Sequence, residues 1–331
     1  MNAPLVSIVI PTYNQKPEYF RESLKGAVTQ TYEHIEIIVS DNHSTNDCMI
    51  VLNDFPKDRI RIVRPEVHLG LSDHFIFAAS QAKGEFISFL SSDDLIYPAC
   101  IEKLIRPLLT NPSLSFSYCE NALIDPEGKK TGLIRKLELP SGSYTPAETA
   151  QRMYRNSEYW VIGGLMRTQF FQKENFVRDV IAGDWVLGFK MLKYGGAAYV
   201  NEELSAIRFH EREGNAAAEY SVRHLDHHRQ RVQKHNYLID DAEFLSKTKI
   251  SREQAIEFRT QEIMTAVMDL VVAYHRGKCD DEYILSVFTV YGTVMGSSRF
   301  RFLTKYYRST AALLYIYSIR AFRKVKRSIF T

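Results

Sequence analysis

Asp41, Asp93 and Asp94 carry the first chemical signal, because each closely follows a short apolar run. Those runs, LVSIVI at 5–10, IEIIVS at 35–40, IRIVR at 60–64 and FISFL at 86–90, are rich in β-branched and aromatic residues and read as strands. Carboxylates gathered at one edge of a sheet repel one another unless a cation lies among them. A divalent metal holding a diphosphate suits such a group. Asp and Ser are also good helix caps and turn formers after strands, so each residue taken alone admits that second reading.

The elements that must position these residues alternate along the chain. Helical stretches at about 18–30, 45–55 and 71–83 separate the runs, which predicts an α/β fold with a mostly parallel sheet and helices on both faces. Ligands bind such sheets outside the carboxyl ends of the strands. Attention therefore falls on Pro11 to Asn14, Asp41 to Ser44 and Ser91 to Asp94. Beyond residue 97 the pattern predicts a helix at 98–109 with Pro98 in its first turn and a strand at 114–118. A turn follows at Asp125-Pro126-Glu127-Gly128, and 197–209 reads as an extended segment. Few breakers and 3.6-period apolar faces, such as Ile256, Ile263, Met264, Val267 and Leu270, predict a helical region beginning near 215.

Composition narrows the function classes. The 331 residues are 45% hydrophobic and 24% charged, a globular balance that excludes disordered, collagen-like and coiled-coil readings. Cys48, Cys100, Cys119 and Cys279 are far apart, with no metal-ligand spacing, which fits a reducing compartment. No run approaches the roughly 20 apolar residues of a membrane span, and the opening MNAPLVSIVIPTYN lacks signal-peptide features, so a cytoplasmic location is expected. Gly-rich dinucleotide and P-loop fingerprints are absent. His224, His227 and His228 have helical spacing but no carboxylate or cysteine to complete a metal set, and read as a polar helix face.

Charge is uneven. No acidic residue follows Glu282, while nine Lys and Arg residues lie between Arg299 and Arg327, so the rest of the chain is net acidic although the whole carries +3. Segment 299–331 interleaves these cations with Phe, Tyr, Leu and Ile, the pattern of a basic amphipathic helix on an anionic membrane surface. Packing on the body or on another subunit in a homo-oligomer, and nucleic-acid binding, are the competing readings.

Taken in order, VSIVIPTYN at 6–14, IEIIVSDNHSTND at 35–47, HLGLSDHF at 68–75 and FISFLSSDD at 86–94 resemble glycosyltransferase family 2, the inverting GT-A type nucleotide-sugar glycosyltransferases. AGDWVLGFKML at 182–192 and Ile207-Arg208-Phe209-His210 extend the resemblance more weakly. It implies a Rossmann-like GT-A catalytic domain over 1–215, with a nucleotide-binding half at 1–97 and an acceptor half at 98–215. A helical region at 216–298 and the basic tail at 299–331 would follow.

The resemblance also implies roles. Pro11, Thr12 and Tyr13 would line the nucleotide, and Asp41 would accept from the uracil N–H edge. Ser92, Asp93 and Asp94 would serve the donor, with Asp93 as the ligand of Mn²⁺ or Mg²⁺ and Asp94 as a supporting or donor-sugar contact. His210 would complete the metal or diphosphate coordination, and Arg208 and Arg212 would reach phosphate. Asp184 would be the catalytic base, and Trp160, Gly163 and Gly164 would form the acceptor side. Two acids of the family pattern are replaced, by Ser91 and Gly183, and His68 stands where the family commonly has Asn. The implied activity is metal-dependent hexosyl transfer from a UDP-sugar to a glycan or polyprenyl-linked glycan acceptor. That chemistry suits surface polysaccharide biosynthesis, such as lipopolysaccharide O-antigen or capsule, by a protein peripheral at the inner face of the cell membrane. The replaced acids also admit a nucleotide-sugar-binding or scaffold protein without turnover. The nucleotide-sugar reading favours membrane over nucleic acid as the partner of the tail.

Overall fold

The computed structural model describes residues 3–133, 139–156, 163–174, 183–209, 225–309, 311–313, 315–316 and 319. The chain divides into two compact units, Met1–His210 with Asp241–Ile250, and Glu211–Asp240 with Ser251–Thr331.

The first unit is built on a ten-stranded mixed sheet. Strands β1 (Val6–Thr12), β2 (Ile35–Asp41), β3 (Ile60–Val63) and β4 (Phe86–Phe89) pair in parallel in the order β3-β2-β1-β4, with Thr12 opposite Asp41. Every residue of β1 is buried, as expected of a strand covered on both faces. One face, including Ile8, Ile10, Val39 and Leu90, packs on α1 (Pro17–Val28) and α3 (Cys100–Thr110) through Phe20, Leu24, Leu104 and Ile105. The opposite face meets α2 (Leu71–Ser80), where His74 hydrogen-bonds Ser40 at 2.9 Å and Phe75 lies against Phe89. Pro11 falls inside β1 rather than in a turn, just beyond the last paired residue of β4, where its missing N–H breaks no ladder bond. The stretch read as a helix at 45–55 is a 3-10 helix, Asp47–Asp54, whose buried Cys48 and Val51 are three residues apart, the period of that helix.

The second half of the sheet adds β5 (Leu95–Ile96), β6 (Leu114–Ile124), β7 (Lys130–Leu133), β8 (Gly142–Tyr144), β9 (Leu165–Arg167) and β10 (Gly196–Arg208). β9 inserts antiparallel between β4 and β6, and β6 pairs in parallel with β10. Helices α4 (Pro146–Asn156), α5 (Thr168–Glu174) and α6 (Gly183–Met191) belong to this half.

The second unit is helical: α7 (Leu225–Ile239), α9 (Arg252–His275), α10 (Asp281–Gly292) and α11 (Ser298–Tyr306). The intervening α8 (Ala242–Thr248) belongs to the first unit. Ser251 and Gln254 form a reciprocal cap that starts α9. His228 does not belong to a solvated polar face. It is buried and hydrogen-bonds the hydroxyls of Tyr291 at 2.6 Å and Tyr283 at 3.2 Å. The apolar side of the tail is likewise committed inward, with Phe300, Leu303, Tyr307, Ala312 and Ile316 joining the core formed by α9 and α10. Among the described residues of the segment, Arg299, Arg301, Lys305, Tyr306 and Arg308 are exposed. Among the described residues, no helix is long and apolar enough to cross a membrane.

Candidate functional site

Three strand ends assemble one edge. Asp41, the last residue of β2, is fully buried. One carboxylate oxygen accepts the Ser44 N–H at 2.9 Å and the other pairs with Arg64, which follows β3. Burial alone would raise the Asp41 pKa, but the hydrogen bonds from Ser44 and Arg64, with the Arg64 charge, hold it below the usual carboxylate range. Asp41 is thus an ionised acceptor at the edge of the sheet. Behind it, burial holds the His74 imidazole below the ordinary histidine range, so it supports Ser40 as a neutral group.

The loops around Asp41 are tied to one another. Asn14, at φ 45°, accepts the Thr45 N–H at 2.7 Å, and its own N–H donates to Ser44 Oγ at 3.0 Å. Asn tolerates this left-handed backbone better than most residues. Asn42 donates to the Leu69 carbonyl at 2.8 Å and accepts the Leu69 N–H at 2.9 Å, which clamps the loop entering α2. His68 replaces the expected Asn without loosening that loop, because its Nδ1 donates to the Asn42 carbonyl at 3.0 Å. Tyr13 lies 4.7 Å from the His68 ring with about half its surface exposed, an aromatic face beside the strand edge. Thr12 is buried beside Asp41, and its hydroxyl has no hydrogen-bond partner among the described residues.

The metal motif follows β4. Ser92 is buried and accepts Gln15 Nε2 at 3.3 Å, while the Ser91 carbonyl accepts the Ser23 hydroxyl at 3.0 Å. The two aspartates divide in environment. Asp94 is buried, takes the Arg208 N–H at 2.9 Å, and is pushed up to about 8 by burial and by the neighbouring Asp93 charge. Asp93 is only half buried. Among the described residues, no three His, Cys, Asp or Glu side chains stand together as a complete metal cage. An accessible oxygen ligand without a cage fits Mg²⁺ or Mn²⁺ taken up together with a diphosphate and water.

Asp184 is the second residue of α6 and is half buried. Its helix packs against α5, whose Phe171 meets Phe89 of β4, so Asp184 belongs to the sheet face opposite α1 and α3. Neighbouring Trp185 anchors the helix start against Phe189 and Tyr154. Gly163 and Gly164 lead into β9, next to β4 and β6. Gly163 has φ +68°, and a Cβ there would lie 2.3 Å from Ser205 Oγ. Gly163→Ala is therefore expected to destabilise the first unit by about 2 kcal/mol or more, read as a lower denaturation midpoint; an unchanged midpoint would remove this packing role. Trp160, His210 and Arg212 lie outside the described residues.

Asn42 lies within the Asp41–Ser44 stretch expected at the strand edge, whereas Arg64, which directly follows β3, carries no signal in the sequence until its pairing with Asp41 is seen. Arg208 was expected at phosphate; its guanidinium instead bonds within the chain, to Glu22 and to the Asp93, Asp125 and Pro126 carbonyls.

Known proteins resemble this chain in the same terms. An uncharacterized glycosyltransferase of Rickettsia felis is 30% identical over 224 residues, 64% of this chain and 35% of that protein. The chain spans from 13% to 65% of the length of the curated relatives it matches. S. aureus TarS 1–349, solved in complex with UDP-GlcNAc, superposes with a TM-score of 0.60 at 18% identity, covering 97% of this chain and 92% of that one. The mannosyltransferase PcManGT from Pyrobaculum calidifontis, in complex with GDP-Man and Mn²⁺, gives 0.56 at 16% identity, covering 96% and 87%. These likenesses establish a GT-A fold. The model of glycosyl transferase family 2 matches residues 7–178, a little over half of the sequence and the whole of the strand edge that holds Asp41 and Asp93, and the chain belongs to that family.

Proposed function

We propose that the protein is an inverting glycosyltransferase that moves a sugar from a UDP-sugar to a hydroxyl of a glycan or lipid-linked glycan acceptor, in surface polysaccharide assembly. One observation carries this reading. An ionised, fully buried Asp41 ends β2 and a half-buried Asp93 lies in the turn after β4, the two parallel strands that flank β1 in one sheet, suiting a base at one point and a diphosphate at the other. Asp41 accepts from the N–H edge of uracil, Tyr13 offers an aromatic face, and Asp93 is the carboxylate that would hold a divalent cation. Mn²⁺ or Mg²⁺, when bound, neutralises charge on the departing diphosphate. Asp184 takes the proton of the acceptor hydroxyl as its oxygen bonds to the anomeric carbon and the bond to the UDP oxygen breaks. In this reading Gly163 and Gly164 let the acceptor approach the backbone, and Trp160 and His210 take the acceptor and coordination roles implied by the family resemblance.

Support for this donor class comes from TarS, solved with UDP-GlcNAc, and from PcManGT, solved with GDP-Man and Mn²⁺. Attachment of the tail to an anionic membrane at its cytoplasmic face is electrostatic in this reading, since the apolar side from Phe300 to Ile316 is used in the helical core. The replacements at Ser91 and Gly183 favour one second reading, a nucleotide-sugar-binding protein without turnover. A panel of UDP-sugars and GDP-mannose with Mn²⁺ or Mg²⁺ separates these. The expected result is metal-dependent thermal stabilisation by a UDP-sugar, with UDP release. Stabilisation without release under any acceptor supports the second reading, and stabilisation by GDP-mannose alone overturns the uracil assignment.

A further inference from the structure

We infer that Arg208 is the residue that positions the metal-motif aspartates, a role that rests on the reading of Asp93 as the metal ligand. Arg208 ends β10, and its side chain is 1% exposed. Its backbone N–H donates to the Asp94 carboxylate at 2.9 Å, and its Nε donates to the Asp93 carbonyl at 3.0 Å. Nη1 reaches the Asp125 and Pro126 carbonyls at 3.2 and 3.0 Å, and Nη2 pairs with Glu22 on α1. The guanidinium carbon lies 4.5 Å from the Tyr19 ring centre. One side chain therefore joins α1, the metal turn and the β6–β7 turn, and two of its segment's bonds fall on the two aspartates themselves.

The consequence is geometric. Asp93 follows Ser91-Ser92 in a turn that has left its neighbouring strand, so the peptide after it is held by the turn bond from the Asp94 N–H to the Ser91 carbonyl at 3.1 Å and not by a ladder. Fixing the Asp93 carbonyl from one side and the Asp94 carboxylate from the other sets the backbone on which the Asp93 carboxylate is carried. A metal ligand must be held to a fraction of an ångström, and a planar fork with five N–H donors can satisfy the Asp93, Asp125 and Pro126 carbonyls and the Glu22 carboxylate at once. Lysine keeps the charge but presents a point donor on a flexible stem. The missing first acid at Ser91 raises the demand on this support, because Asp93 must serve without it.

Calorimetry of UDP binding to the full chain, with and without Mn²⁺, tests the role in Arg208→Lys and in Glu22→Ala, where the half-exposed partner on α1 is removed. For Arg208→Lys the expected result is metal-free UDP affinity within twofold of wild type and a Mn²⁺-dependent gain reduced at least tenfold. Glu22→Ala is expected to reduce the gain about threefold, and it decides the matter if Arg208→Lys does not fold. A folded Arg208→Lys with the full gain, equal losses with and without Mn²⁺, or an unaltered Glu22→Ala beside an unfolded Arg208→Lys each overturn the positioning role alone. A wild-type protein whose UDP affinity ignores Mn²⁺ overturns the metal reading and this role with it.

Discussion

Asp184→Asn is expected to slow sugar transfer by about a hundredfold to ten-thousandfold while leaving donor affinity within about twofold, the signature of a lost general base. The substitution keeps size and hydrogen-bonding capacity, so α6 should start as before, with Trp185 still packed on Phe189 and Tyr154. What it removes is the ability to take a proton from the acceptor hydroxyl. The carboxylate sits in the first turn of a nine-residue helix, where the positive end of the backbone dipole favours its ionised form. Asp184 lies on a helix packed on α5, whereas Asp41 is held by Ser44 and Arg64, so the substitution leaves those donor-side contacts in place. Steady-state kinetics and UDP-sugar binding on the same preparation check this. Full activity in the Asn variant would remove Asp184 from the chemistry, and a matching loss of donor affinity would make it a donor-site residue.

The strand edge was legible because the physics that writes it is local. A run such as IEIIVS is apolar on both faces only when helices cover both, and a carboxylate directly after it has few placements other than the edge where ligands bind. Asp41 and the Ser91–Asp94 turn followed from that rule alone, and the family resemblance then gave each a role. Arg64 obeys the same rule, since it directly follows β3, but a basic residue there carries no signal until the fold shows that Asp41 is its partner. The antiparallel insertion of β9 between β4 and β6 has no local signature either, because pairing across the sheet depends on contacts distant in sequence. His228 and the tail show the limit of reading helix faces by charge. Two tyrosine hydroxyls make a buried histidine acceptable, and aromatics spaced among cations serve a helical core as readily as a lipid surface. Arg208 was misread for the opposite reason: a guanidinium matches phosphate well, but peptide carbonyls and a carboxylate within the chain offer the same geometry.

Asp93→Ala is the sharper test of the site, because it should erase the metal dependence of nucleotide binding and leave the base pocket intact. The expected loss of Mn²⁺-dependent UDP affinity is about a hundredfold, the upper range seen when even the supporting partners of metal ligands are removed. Metal-free UDP affinity should change little, since Asp41, Arg64 and the clamped loops around Asn14 and Asn42 do not depend on the Asp93 side chain. Asp94→Asn provides the contrast. Its amide oxygen can still accept the Arg208 N–H, and Asp94 is buried where Asp93 is only half buried, so the substitution leaves the more accessible carboxylate in place. The two neighbours should therefore differ strongly in the same titration, with Asp93→Ala losing the metal response and Asp94→Asn keeping most of it. If instead Asp94→Asn loses the response and Asp93→Ala keeps it, the metal ligand is the buried aspartate. Arg208 would then hold the ligand through its backbone N–H rather than through the carbonyl beside it.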